Sequence, residues 1–286
     1  MKTTHIDDVD KIICIGDQII DGVYKLHSKF THVLNFVCND ILLAIVDSSV
    51  GAGPINIVVS NVLEFADCSV VKITQTKIYI EDSHEFLRCE IPIYVSSYHA
   101  ISDFPRMQLR KNMDILKTFL LQNTHPNDLT FLIDVGDNQH NYQNKVCSTL
   151  TFSEALTKRI FYGCSKIKAG NIVEGVSFLK GCGYGLTPSG DDFNAGLLVG
   201  LILFKKLGVG FLDEIYKTAI GNNIFSNNFL YLARNGFLTE KVKNFVSSLF
   251  SDSGDKMQRC AKKVMELGET SGSDFLVGFV FAFEQL

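Results

Sequence analysis

Two stretches of this chain set the same polar residues at the same spacing ahead of an apolar run. The first reads Thr187-Pro188-Ser189-Gly190-Asp191-Asp192-Phe193-Asn194-Ala195-Gly196. The second reads Glu269-Thr270-Ser271-Gly272-Ser273-Asp274-Phe275-Leu276-Val277-Gly278. Ser, Gly, Asp, Phe and Gly recur at shared offsets, and a small residue follows four positions on, Gly200 in one and Ala282 in the other. Ser189 and Ser271 read as helix N-caps, with Asp192 and Asp274 three residues later at capping-box spacing. Capping accounts for the Ser and one Asp of each motif. It leaves unexplained a Gly just after the cap, where it weakens a helix, the additional Asp191, and the preceding Gly181-Cys182-Gly183-Tyr184-Gly185 run.

Glycines ahead of a helix start let a ligand approach backbone N–H groups, and helix starts favour anions. If the two glycine-faced helices pack with their starts together, one pocket holds N–H groups, two Ser hydroxyls and three carboxylates. The N–H groups suit a phosphate or carboxylate; the carboxylates suit Mg²⁺ or the NH₂ of an amide. The candidate catalytic groups are Asp191, Asp192 and Asp274, and the candidate substrate-binding residues are Gly183, Gly185, Thr187, Ser189, Gly190, Ser271 and Gly272. The opposing structural reading is two well-capped core helices packed tightly through small residues. All seven histidines lie at or before residue 140, so a Ser-His-Asp relay within the helical half is impossible without a His from the other half.

Further candidates carry plainer structural readings beside the functional ones. Asp47-Ser48-Ser49-Val50-Gly51-Ala52-Gly53-Pro54 follows an apolar run and precedes another, so it reads as a hairpin loop rather than a dinucleotide fingerprint. Asp134 to His140 reads as a polar turn at a strand end. Ser226-Asn227-Asn228 reads as another helix cap, with Arg234 a turn or two on as an anion partner. His32 and His99 read as structural.

The elements that must position the motif follow from periodicity. Short Ile- and Val-rich runs at 12–15, 31–37, 41–46, 55–59, 70–73 and 77–80 suit strands, with Asn39-Asp40 as a hairpin turn. Residues 107–121 show helical spacing, and 129–135 reads as one more strand. Beyond residue 150 helices are expected over 153–167, 173–179, 191–207, 212–220, 226–233, 240–250, 254–267 and 273–283, punctuated by Gly208, Gly221, Gly236 and Gly268. The fold class is therefore α+β. A β-rich N-terminal domain (1–100), a partly closed sheet or small barrel, precedes a mainly α-helical domain (101–286) carrying both motifs.

Composition bounds the partners. The 286 residues are 46% hydrophobic and 20% charged with a net charge of −4, enough for a large core or two domains. No basic tract is present, so nucleic acid is not expected. The N-terminus lacks a signal-peptide pattern, and the longest apolar stretch, 193–204, is well short of the roughly twenty residues that span a bilayer. A soluble cytoplasmic protein is expected, with its eight cysteines as buried reduced thiols and no zinc site.

The run Gly183-Tyr184-Gly185-Leu186-Thr187-Pro188-Ser189-Gly190-Asp191-Asp192-Phe193 resembles a bacterial family long described as of unknown function. Its members include the AllH-type subunit of oxamate carbamoyltransferase, from allantoin degradation, and some carry a carboxylase label. Thr270 to Asp274 is similar to the family's second motif, and Ser226 to Gly236 to its intervening helix. The resemblance covers residues 145–286 well and the N-terminal half loosely, with Gly53-Pro54 as a candidate match. It implies transfer between carbamoyl phosphate and oxamate, giving oxalurate and phosphate, within a multi-subunit assembly. Gly190 and Ser189 N–H groups would then hold the anion, and Asp192 or Asp274 would orient the NH₂. The alternatives are a Mg²⁺-dependent phosphoryl or carboxyl transferase built on the three aspartates, and a non-catalytic assembly subunit.

Overall fold

The computed structural model describes residues 12–81, 84–98, 106–133, 152–204, 208–251 and 253–285. They cluster as two compact units. One runs to Ser97 and takes in Phe237–Lys241; the other holds Tyr98–Gly236 and the chain from Val242 onward.

The β-branched runs of the first unit become strands β1 (Ile12–Gly16), β3 (Val33–Cys38), β4 (Ile41–Asp47), β5 (Asn56–Val59), β6 (Val70–Ile73) and β7 (Lys77–Ile80). Three more strands lacked such a run: β2 (Gly22–Phe30), β8 (His84–Leu87) and β9 (Ile93–Tyr94). Together they form one curled half-barrel sheet in the order β8-β7-β6-β2-β3-β4-β5-β1-β9. Its core gathers Tyr24, Phe36, Leu43, Ile45, Ile57, Val71 and Ile78. The opposite side carries a small cluster of Ala44, Val46 and Val58. Strand β4 is thus buried on both faces, as its unbroken apolar run requires.

Asn39 and Asp40 both have positive φ, 48° and 64°, the turn that matches strand twist between β3 and β4. The expectation of a hairpin at 47–54 is overturned: β4 and β5 pair parallel, with Ala44 opposite Asn56. Asp47 starts this crossover by accepting the Ser49 N–H at 2.9 Å, while its other oxygen lies 2.6 Å from His32 Nδ1. The Ser49 and His32 hydrogen bonds lower the Asp47 pKa, though burial acts against them.

The second unit contains nine helices among the described residues. They are α1 (Arg106–Gln122), α2 (Phe152–Lys168), α3 (Ile172–Leu179), α4 (Ser189–Phe204), α5 (Val209–Ala219), α6 (Ile224–Arg234), α7 (Glu240–Leu249), α8 (Gly254–Met265) and α9 (Ser271–Phe283). The strand expected at 129–135 is instead a 3₁₀ turn over Thr130–Leu132, and its last two residues lie outside the described ones. Asp128 causes this by accepting both the Thr130 N–H (3.1 Å) and hydroxyl (2.5 Å), which bends the backbone away from an extended path.

Helices α4 and α9 are apolar on nearly every side, and nearly every residue of each is buried, as such helices must be. They pack along each other. Helices α3, α5 and α6 flank α4, and α1 and α8 flank α9. Edge-to-face rings lock the layers, with Phe193 on Phe281 at 5.1 Å and Phe279 between Phe204 and Phe245. None of the described helices is long and apolar enough to cross a membrane. Cys68, Cys164 and Cys182 are buried, whereas Cys89 is exposed, against the expectation of buried thiols.

Candidate functional site

Small residues bring the two motif helices together. A Cβ on Gly196 would lie 1.9 Å from the Phe275 carbonyl oxygen, and one on Gly278 would lie 1.9 Å from that of Phe193. One turn on, a Cβ on Gly200 would meet the Ala282 methyl at 2.5 Å. The first two contacts are reciprocal, Gly200 meets Ala282 one turn further along both helices, and Thr187 meets Ser271 at the starts, so α4 and α9 run parallel with their N-termini side by side. Each motif's own glycine instead lets its helix start press on another neighbour. A Cβ on Gly190 would lie 2.0 Å from the Leu179 oxygen, and one on Gly272 would lie 1.9 Å from the Val264 oxygen. Their N–H groups are engaged too, Gly190 with the Cys182 oxygen at 2.7 Å and Gly272 with the Leu267 oxygen at 3.0 Å. The Gly190 N–H, expected to hold an anion, is therefore already satisfied within the chain.

The serines also differ from expectation. The N–H of Asp192 reaches the Pro188 oxygen (3.2 Å) and that of Asp274 the Thr270 oxygen (2.9 Å). Pro188 and Thr270 therefore occupy the cap positions, and each Ser is the first helical residue. Their hydroxyls work between helices instead. Thr187 Oγ1 donates to Asp192 Oδ2 at 3.0 Å and lies 3.1 Å from Ser271 Oγ. Ser271 lowers the pKa of Asp192 on the other helix, and Ser189 does the same for Asp274. Each serine thus lies near the carboxyl of the other motif, and Thr187 bridges Asp192 and Ser271.

Burial nonetheless dominates both aspartates. Asp192, 9% exposed, is pushed up to about 8 by desolvation, and by the charges of Asp274 and Asp191, against the Ser271 and Thr187 hydrogen bonds. Asp274, 0% exposed, is pushed up to about 7 by desolvation, against Ser189, the Leu129 N–H and Thr270, with the Asp128 charge adding to the rise. Its Oδ1 accepts the Leu129 N–H at 2.7 Å, while Oδ2 has no hydrogen-bond partner among the described residues. A helix N-terminus favours a nearby carboxylate by about 0.3–1 kcal/mol, less than holding a charge out of water costs. The two helix ends lower the cost of ionisation without cancelling it.

Residues 179–283 match the family model described as oxamate carbamoyltransferase subunit AllH. Over these residues the chain is similar to the AllH family. The matched stretch begins at the last residue of α3 and ends at the last residue of α9, so it encloses both motifs and the helices between them. No solved structure matches the chain.

Within this AllH region the third aspartate turns another way. Asp191 Oδ1 accepts the Gly181 N–H at 2.7 Å and so fastens the glycine loop to the start of α4. Burial raises its pKa, against the Gly181 N–H, Ser226 and the positive charges of Lys180 and Arg159. The loop carries Gly181, Gly183 and Gly185 at φ 68°, 126° and 94°, where side chains are strained. At Gly183 space is also limiting, because a Cβ would sit 2.5 Å from the Ser189 nitrogen. Beside Asp191 opens a cleft of about 400 Å³, lined by Lys180, Gly181 and Pro188 with Asp191, and by residues 221–223 ahead of α6. Among the described residues no three His, Cys, Asp or Glu side chains gather in a metal-holding group.

The remaining candidates settle as structure. The cap of α6 is Asn223, whose side chain accepts the Ser226 N–H at 3.0 Å, rather than Ser226-Asn227-Asn228. Arg234 is paired with Asp213 at 2.8 Å, which corrects its reading as an anion partner. His99 and the turn 134–140 lie outside the described residues. Sequence reasoning missed Lys180, Asn222 and Asn223 at the cleft; the only local signal was a Lys directly ahead of the glycine run.

Proposed function

We propose that this chain is a subunit of an oxamate carbamoyltransferase-type enzyme whose small anionic carbamoyl donor meets the chain at the joined starts of α4 and α9. In the reaction, the amide nitrogen of oxamate attacks the carbamoyl carbon of carbamoyl phosphate. The carbon–oxygen bond to phosphate breaks, phosphate leaves, and the nitrogen passes a proton to a base, giving oxalurate. The observation carrying this reading is the convergence of two parallel helix N-termini on the Thr187 hydroxyl, which bonds Asp192 of one and meets Ser271 of the other.

Two positive dipole ends in one place favour an anion. Asp192, with a carboxyl pushed up to about 8, exchanges its proton near neutral pH, as a general base or acid should. Neutral, it donates to a substrate oxygen; ionised, it accepts from an NH₂. Gly183, Gly185, Thr187 and Ser189 are the substrate-side groups. Asp274 and Ser271 position Asp192 from the second helix, and Gly190 and Gly272 permit the close packing. Partner subunits complete the assembly, as the word subunit in the family description suggests.

The test is oxamate-dependent phosphate release from carbamoyl phosphate by the chain combined with its partner subunits. Asp192→Asn is expected to lower turnover by about 100-fold or more, with the complex still assembling. An assembly-only role is the second reading, favoured by the full burial of Asp274 and the engaged Gly190 and Gly272 N–H groups. Unchanged turnover per assembled complex in Asp192→Asn would establish that role and overturn the first.

A further inference from the structure

We propose that the cleft between Lys180-Gly181 and residues 221–223 binds the acceptor, a small monocarboxylate bearing a primary amide, with its carboxylate on Lys180 and its NH₂ toward Asp191. This rests on the carbamoyl-transfer reading and extends it to residues outside the two motifs.

The cleft, at about 400 Å³, falls within the range of about 300–1,000 Å³ usual for small-molecule sites. Its walls are tied before any ligand arrives. Lys180 Nζ donates to the Ile220 oxygen at 3.2 Å, and Asn223 Nδ2 to the Leu186 oxygen at 2.9 Å. Asn227 bonds both the N–H and the oxygen of Gly221, each at 2.9 Å. Such bracing lowers the ordering cost of binding. An ammonium has three N–H donors, so the Ile220 contact leaves Lys180 able to hold a carboxylate. Arg159, whose Nη2 donates to the Lys180 oxygen at 2.9 Å, adds a second positive charge acting on Asp191.

Lining the same cleft as Lys180 is Asp191, 5% exposed, an acceptor suited to an amide NH₂. Beside it Ser226, 3% exposed, places its hydroxyl near the Asp191 carboxyl. A cation and a carboxylate lining one cleft select a ligand with both an anionic and an NH₂ group. The same carboxylate disfavours a phosphate dianion, so the phosphate donor belongs elsewhere at the helix starts.

Calorimetric titration of the full chain with oxamate, and separately with inorganic phosphate, tests this. Oxamate is expected to bind, with affinity lowered at least 10-fold in both Lys180→Met and Asn222→Ala. Asn222 is exposed, so the second variant stands if the first fails to fold. Phosphate affinity is expected to be the same in wild type and Asn222→Ala. Equal oxamate affinity in wild type and Asn222→Ala, or no oxamate binding by wild type, overturns the proposal. In the assembled enzyme, full carbamoyl transfer with an unchanged KM for oxamate in both variants would sink the cleft assignment and leave the reaction standing. Cleft-dependent oxamate binding without carbamoyl transfer would do the reverse.

Discussion

Asp192 and Asp274 show two local effects in opposition, with the stronger deciding their protonation. Each sits in the first turn of a helix, where charge is favoured, and each is too buried to ionise at its ordinary pH. The folded chain keeps these protons to about pH 7 and about pH 8, whereas the unfolded chain releases them near pH 4. Between those limits the folded state binds more protons, so their contribution to stability falls as pH rises and levels off above about 8. Thermal melts across that window are expected to show the decline, and Asp192→Asn, which mimics the neutral acid, should flatten it. A wild-type melting temperature that climbs through the same window would count against the buried, protonated pair. The two aspartates were legible in the sequence as a repeated pattern. Their surroundings were not, because Leu129 and Thr187, which bond Asp274 and Asp192, lie outside the repeated Ser-to-Asp spacing.

Helices α4 and α9 depend on glycine through backbone contact rather than backbone freedom. Gly196→Ala and Gly278→Ala each drive a methyl into a carbonyl of the neighbouring helix, and backbone cannot yield as a side-chain tip does. Each is expected to cost about 3 kcal/mol or more, read as a lower denaturant midpoint. Gly210→Ala, which meets nothing within 4 Å in α5, should be neutral or slightly stabilising and controls for substitution itself. Equal effects at 196 and 210 would show that the helices do not approach so closely. Element existence was readable where apolar residues kept a period, as in α1, α8 and the β3–β4 turn. Strand β2 escaped notice because Lys25, His27 and Lys29 interrupt any apolar run and much of it is exposed. The parallel pairing of β4 with β5 escaped too, since a short loop between two apolar runs ordinarily signals a hairpin.

The chain returns to its first unit at a place the sequence did not mark. Phe237–Lys241 lies deep in the helical half of the chain yet clusters with the sheet. There the Leu238 N–H meets the Ser96 oxygen at 3.0 Å, the Glu240 N–H meets the Ala52 oxygen at 2.9 Å, and Tyr94 donates to the Leu238 oxygen at 2.9 Å. A chain beginning at Tyr98 strips those partners from a retained segment. It is expected to aggregate or melt below the full-length protein, as gel filtration and circular dichroism would report. A monomeric product melting with the full chain would show that segment to be dispensable. By itself the sequence determined the α+β order, the helices around the motifs and the paired Ser-Gly-x-Asp starts, because periodicity and capping chemistry are local. Tertiary structure alone decided that the two starts meet, that Thr187 joins Asp192 to Ser271 of the other motif, and that Asp191 lines a cleft with Lys180. Those outcomes depend on how closely one helix backbone approaches another, a distance between residues far apart in the chain.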